Sequence, residues 1–156
     1  MASNEAPPNK NFFERLMEYR FSKTFTDLTI KIGEREFHVH KIVLVDASPV
    51  LNAMISERWL KDDILEFKAE VVDPEIFEDL LNFLYINKIQ LTPKNVKLFV
   101  KAAHFLDVSG LLRLCENFMI KQVSEQNFND FYDFSKSFTV IFPIYTFLKG
   151  LAFKII

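Results

Sequence analysis

FTDLTIKIGEREFHVHKIVLVDASPVL, running from Phe25 to Leu51, is the stretch that decides the fold. Its first half has a period of two. Leu28, Ile30 and Ile32 alternate with polar residues, and Phe37 and Val39 do the same, so each set lies on one face of a strand. Ile32-Gly33-Glu34-Arg35 falls between the sets and predicts a hairpin turn. The second half switches to helical spacing. His40 to Val45 reads as a short helix. Ser48-Pro49 is a helix start, a capping hydroxyl followed by proline at a position that needs no amide hydrogen. Val50, Leu51, Ala53, Met54 and Ile55 continue that helix.

Upstream, Asn11 to Phe21 predicts a helix. Phe12, Phe13, Leu16, Met17 and Phe21 fall near one face, with Glu14, Arg15, Glu18 and Arg20 elsewhere. Downstream, Arg58 to Asp63 is a charged loop around the only tryptophan, Trp59, and Ile64 to Val72 predicts a third strand. Asp73-Pro74 starts a helix carrying Ile76, Phe77, Leu80, Leu81 and Leu84, and Asn87, which tolerates positive φ, follows it in a turn. Ile89 and Leu91 read as a short strand. Thr92-Pro93 starts a helix with Val96, Phe99, Ala102, Ala103 and Leu106 on one face, and Gly110 breaks that pattern. Leu111 to Val123 reads as a further helix, and Ser124 as the cap of one more with Phe128, Phe131, Tyr132 and Phe134. Helix, hairpin, then helices with isolated strands between them is an α+β arrangement, a small sheet with a cluster of helices.

Composition removes several function classes. The net charge of -2 supplies no positive field for nucleic acid, and no basic run offers a polybasic membrane patch. With only Gly33, Gly110 and Gly150, neither GxGxxG nor a P-loop can be written, so no nucleotide cofactor is expected. No GxSxG occurs and no acid–base constellation stands out, so an enzyme is not expected. The single Cys115 suits a reducing compartment, cytoplasmic or nuclear, and Met1 to Lys10 lacks the apolar stretch of a signal peptide. Eighteen phenylalanines are more aromatic area than a small core usually needs, which favours an interface.

The quoted stretch resembles the BTB/POZ family. Phe25-Thr26-Asp27-Leu28, then Phe37-His38-Val39-His40-Lys41-Ile42-Val43-Leu44 and Ala47-Ser48-Pro49-Val50-Leu51, are similar to its opening signature. Phe77, Leu80, Leu81, Phe83, Leu84, Tyr85 and Ile89 resemble its next segment, and Ala102, Ala103, Leu106, Leu111 and Cys115 its last helices. The resemblance covers Asn11 to Val123, after a disordered segment 1–10. Val123-Ser124-Glu125-Gln126-Asn127-Phe128 is similar to the start of the helical BACK region of kelch-like proteins, so 124–156 is expected to be a partial BACK-like extension. The likeness to the family ends near Thr139. Phe138 to Leu148 is an apolar run with Pro143 inside it, too short to span a bilayer, and reads as an incomplete BACK-like helix.

The resemblance implies a homodimerising protein–protein interaction module, the substrate-adaptor part of a cullin-3 ubiquitin ligase. The alternative it leaves open is a dimerisation scaffold or transcription-type module that binds no cullin. The dimer interface is then expected at Phe13, Leu16, Met17 and Phe21 on an N-terminal dimerisation helix, with Leu28 and Ile30 of the adjoining strand. A helix of about eleven residues at a chain end is marginal alone and needs a partner surface. Asp27 and Lys41 align with a charged pair that lines a pocket between subunits in family dimers; the alternative is that they order the strand-to-helix junction. Kelch-like adaptors present an apolar residue, any residue, then Glu after the Ser48–Ile55 helix. Here the aligned triplet is Trp59-Leu60-Lys61, and a shift of one gives Leu60-Lys61-Asp62. These residues, with Asn127 and Phe128, are the expected cullin contacts, weakened where Lys61 replaces the acid.

His38 and His40, two apart in a strand, could form half of a zinc site only if His104 and Cys115 supplied the second pair of ligands. The reading preferred for His40 is a buried histidine capping local backbone, and for Cys115 a core thiol beside Leu111, Leu112 and Met119. No metal is expected.

Overall fold

The computed structural model describes residues 10–56, 60, 62–137, 146–148 and 150. They form two compact units, divided between Ile89 and Gln90.

In the first unit, helix α1 (Phe12–Phe21) leads into a hairpin of β1 (Leu28–Ile32) and β2 (Arg35–Val39). Helices α2 (Lys41–Ala47) and α3 (Pro49–Ser56) cross to β3 (Ile64–Phe67), and α4 (Pro74–Ile86) follows. The sheet order is β2-β1-β3. β1 pairs antiparallel with β2, Ile30 opposite Phe37, and parallel with β3, Ile32 opposite Phe67. The alternation read from the sequence sets the buried face: Leu28, Ile30 and Ile32 point inward, with Phe37 and Val39 beside them. Leu44, Leu51, Phe77, Leu80 and Leu81 are fully buried in the same unit, and Phe37 meets Phe77 edge-on at 5.1 Å. Gly33 holds the hairpin turn at φ +59, where a Cβ would be strained.

Local signals explain the helix ends. Asp73 Oδ1 accepts the amides of Glu75 and Ile76 at 2.8 and 3.2 Å, with Pro74 at the first turn. Asn87 ends α4 in the left-handed conformation at φ 54, as its residue type predicts. Ser48 Oγ accepts Leu51 N–H at 2.9 Å at the head of α3.

The second unit holds α5 (Val96–Phe105), α6 (Ser109–Gln122) and α7 (Phe128–Lys136). Val96, Phe99, Val100, Leu106, Leu111, Cys115 and Met119 are buried. Lys97 of α5 pairs with Asp130 of α7, and its ammonium lies 5.4 Å from the Phe134 ring centre. Leu148 is buried within the short described helical piece 146–148. The rest of the Phe138–Leu148 run lies outside the described residues.

Four expectations need correction. The third strand stops at Phe67, because the Lys68 carbonyl accepts the amides of Val71 and Val72 and closes a turn. Ile89 and Leu91 form no strand: Asn95 Nδ2 bonds the Gln90 carbonyl and Asn95 Oδ1 takes the Thr92 amide, so those backbone groups are satisfied locally. Gly110 lies inside α6, and the break falls at Asp107, with φ 52. Thr92 and Ser124 stand a turn ahead of α5 and α7, whose first residues follow Asn95 and Asn127. Among the described residues, no helix is long and apolar enough to cross a membrane.

Candidate functional site

α1 is built to stand as a separate element on the first unit. Asn11 and Glu14 form a capping box, each side chain taking the other's backbone amide. The residues α1 buries are Met17 and Arg20, and its neighbours are chiefly α4 and, to a lesser extent, β2. Phe12 and Phe13 are 59% and 53% exposed, and Ile42 on α2 is 68% exposed. Between them lies a groove of about 320 Å³, walled by Phe12, Phe13, Leu16, Ile42, Ala47 and Leu84, with Asp46 also on its wall. An apolar groove flanked by exposed rings is a surface that water covers badly and a partner covers well.

Beneath α1 lies a polar network. Arg20 is buried, and its guanidinium pairs with Glu78 of α4. Arg35 of β2 approaches the other Glu78 oxygen at 3.8 Å, and Phe21 lies over the Arg20 guanidinium at 4.4 Å. Arg20 Nε makes no hydrogen bond. Next to it, Tyr85 Oη accepts the His40 backbone amide at 2.9 Å. The hydroxyl proton then goes to His40 Nδ1 at 2.8 Å, leaving Nε2–H to donate to the Thr24 carbonyl at 3.3 Å. Burial pushes the Tyr85 hydroxyl up to about 12, so it keeps the proton it donates.

The BTB/POZ domain family model matches residues 16–123, more than half of the chain. The chain belongs to the BTB/POZ domain family. Kelch repeat and BTB domain-containing protein A55 of Vaccinia virus (strain Western Reserve) is 28% identical over 120 residues, covering 77% of this chain and 21% of that protein. Kelch-like protein 7 of Homo sapiens is 28% identical over 126 residues, covering 81% of this chain and 22% of that protein. The chain thus spans about a fifth of the length of the curated relatives it matches. Among solved structures, the BTB domain of zebrafish PATZ1 aligns with a TM-score of 0.64 and 25% identity, covering 76% of this chain and all of that one. The fold is therefore the α+β BTB/POZ fold, a protein-interaction fold.

Within this BTB/POZ domain the expected interface residues separate into two groups. Phe13 and Phe21 are exposed and Leu16 is half-buried in the groove wall. Met17, Leu28 and Ile30 are buried in the protomer's own core, and β1 is the central strand with both edges paired. Their side chains hold the protomer together, so the surface on offer is α1 with α2. Phe12, Ile42, Arg20 and Glu78 are not among the interface residues expected from sequence. Ile42 sits in the apolar run Ile42-Val43-Leu44, in a helix too short for its periodicity to pick the outward residue. Arg20, read as lying off the apolar face, is instead turned inward.

Asp27 and Lys41 meet through backbone: Asp27 Oδ1 accepts the Lys41 amide at 2.7 Å at the start of α2. The Lys41 ammonium pairs with Asp63. Of the expected cullin contacts, Trp59 and Lys61 lie outside the described residues. Leu60 is half-buried, and Asp62 and Asp63 are exposed at φ 58 and 55. Asn127 turns its side chain to local backbone, to the Ser124 amide and the Gln122 carbonyl at 2.7 Å each, and Phe128 stacks on Tyr132.

His40 is engaged at both ring nitrogens, while His38 Nδ1 lies 3.3 Å from Thr29 Oγ1, so the two do not converge. Among the described residues no group of three or more His, Cys, Asp or Glu could hold a metal. Cys115 is fully buried on α6, and burial, with the Glu116 charge adding to it, pushes its thiol up to about 12. Iodoacetamide at pH 8 is therefore expected to leave the native chain unmodified and to add one label in guanidinium, read by intact mass. Labelling of the native chain would mean that α6 opens readily.

Proposed function

We propose that this chain is a homodimerising BTB module whose two copies meet through α1 and α2, and that it serves as the adaptor part of a cullin-3 ubiquitin ligase in a cytoplasmic or nuclear compartment. The observation that carries the dimer reading is the exposed groove of Phe12, Phe13, Leu16 and Ile42, an apolar surface left uncovered by the protomer's own core. Family membership and likeness to kelch-like relatives support an interaction module and make the cullin the partner to test first.

The cullin link is expected to be weak. Lys61 stands where the aligned triplet calls for Glu, and a lost charge-assisted hydrogen bond with a cation gained costs roughly 1–3 kcal/mol, about tenfold to a hundredfold in affinity. Calorimetry with the cullin-3 N-terminal domain checks this with the parent, Lys61→Glu and Trp59→Ala. Tighter binding for Lys61→Glu and loss for Trp59→Ala are the expected results, tryptophan being over-represented among residues that dominate binding. No binding by all three, in calorimetry and a second method, favours the scaffold reading instead, which the missing acid already gives weight.

A further inference from the structure

We infer that in the homodimer Phe25 of each copy seats in the α1–α2 groove of the other, with Lys23 facing the partner copy's Asp46. This rests on the dimer reading above and names the residues that make it specific. Phe25 is 79% exposed and holds φ +57, a conformation that costs a bulky residue energy. Lys23, two residues earlier, holds φ +56. The α1–β1 connection thus spends backbone strain to hold an aromatic ring in water, where it meets the Tyr19 ring edge-on at 5.5 Å. With four-fifths of the residue exposed, little of that cost is recovered by burial among the described residues.

A second copy recovers it. The same chain carries both a projecting ring and an apolar groove of about 320 Å³, and a two-fold interface repeats any such contact, each copy giving and receiving. Charge agrees with shape. Asp46 lies on the groove wall and Lys23 beside the ring, and no ion pair among the described residues engages either. Phe25 is also the largest single part of the exposed aromatic surface. Phe12, Phe13, Tyr19 and Phe25 together expose roughly 340–570 Å² per copy, taking 150–250 Å² for each whole side chain, and Phe25 supplies roughly a third of it.

The test uses sedimentation of the full chain over a concentration series. Phe25→Ser is expected to weaken the dimer at least tenfold, Phe25→Leu less. Lys23→Glu and Asp46→Lys should each weaken self-association. Their equimolar mixture should restore a dimer of parental strength, because each copy then meets an opposite charge at both contacts. A pairing within one chain could not be restored by mixing. An unchanged dimer for Phe25→Ser, or a mixture no stronger than its components, overturns this inference while leaving the dimer reading intact. A monomeric parent overturns both.

Discussion

Replacing Glu78 with alanine is expected to destabilise the first unit by about 2–4 kcal/mol, somewhat below the usual loss on breaking a buried ion pair because Glu78 is partly exposed. The cause is what remains behind. Arg20 is 5% exposed, Glu78 is its carboxylate partner, and Arg35 approaches the same carboxylate. Without it, two cations face each other under α1, one of them buried. The loss should appear as a lower denaturant midpoint with m almost unchanged. Protection of α1 amides should fall first, since α1 is short and its inward side chains are Met17 and Arg20. Changing both partners, Arg20→Met with Glu78→Leu, is expected to restore most of the stability, because an apolar pair avoids the desolvation cost. A Glu78→Ala variant as stable as the parent would mean that α1 is held by packing alone.

The second large effect is expected from Leu16→Arg. Leu16 lines the groove while remaining half-buried, so the protomer can carry the change, and the dimer would have to bury an unpaired guanidinium. Self-association should weaken by about a hundredfold or more, at about 1.4 kcal/mol for each factor of ten. Met17→Arg is not an equivalent test. Met17 is buried against the protomer itself, and arginine there is expected to unfold α1 before any interface is reached. Intact thermal unfolding of Leu16→Arg together with a halved mass separates loss of the interface from loss of the fold.

The sequence shows the fold well where one periodicity governs a segment. Leu28, Ile30 and Ile32 had to share a face, and they do. Asp73-Pro74 and Asn87 mark the two ends of α4 because capping oxygens and left-handed residues act locally. Segments governed by side chains reaching back to backbone were misread: Asn95 and Asn127 each hold the carbonyl five residues earlier, which no periodicity registers. The site was legible only in part. Spacing places Phe12, Phe13, Leu16, Met17 and Phe21 on one broad face, yet cannot say that Met17 turns inward while Phe12 and Phe13 face solvent. Nor could it show that Arg20 is buried, since Glu78 lies 58 residues away. The positive φ of Lys23 and Phe25 has no sequence signal, neither residue being glycine or asparagine.

In the proposed dimer an apolar α1–α2 face joins two copies of this chain. Light scattering on the purified chain at micromolar concentration tests it most directly. A molar mass of twice the 18.3 kDa protomer is predicted, falling to one protomer for Leu16→Arg. A parent that stays at one protomer mass across that range would rule out the α1–α2 dimer.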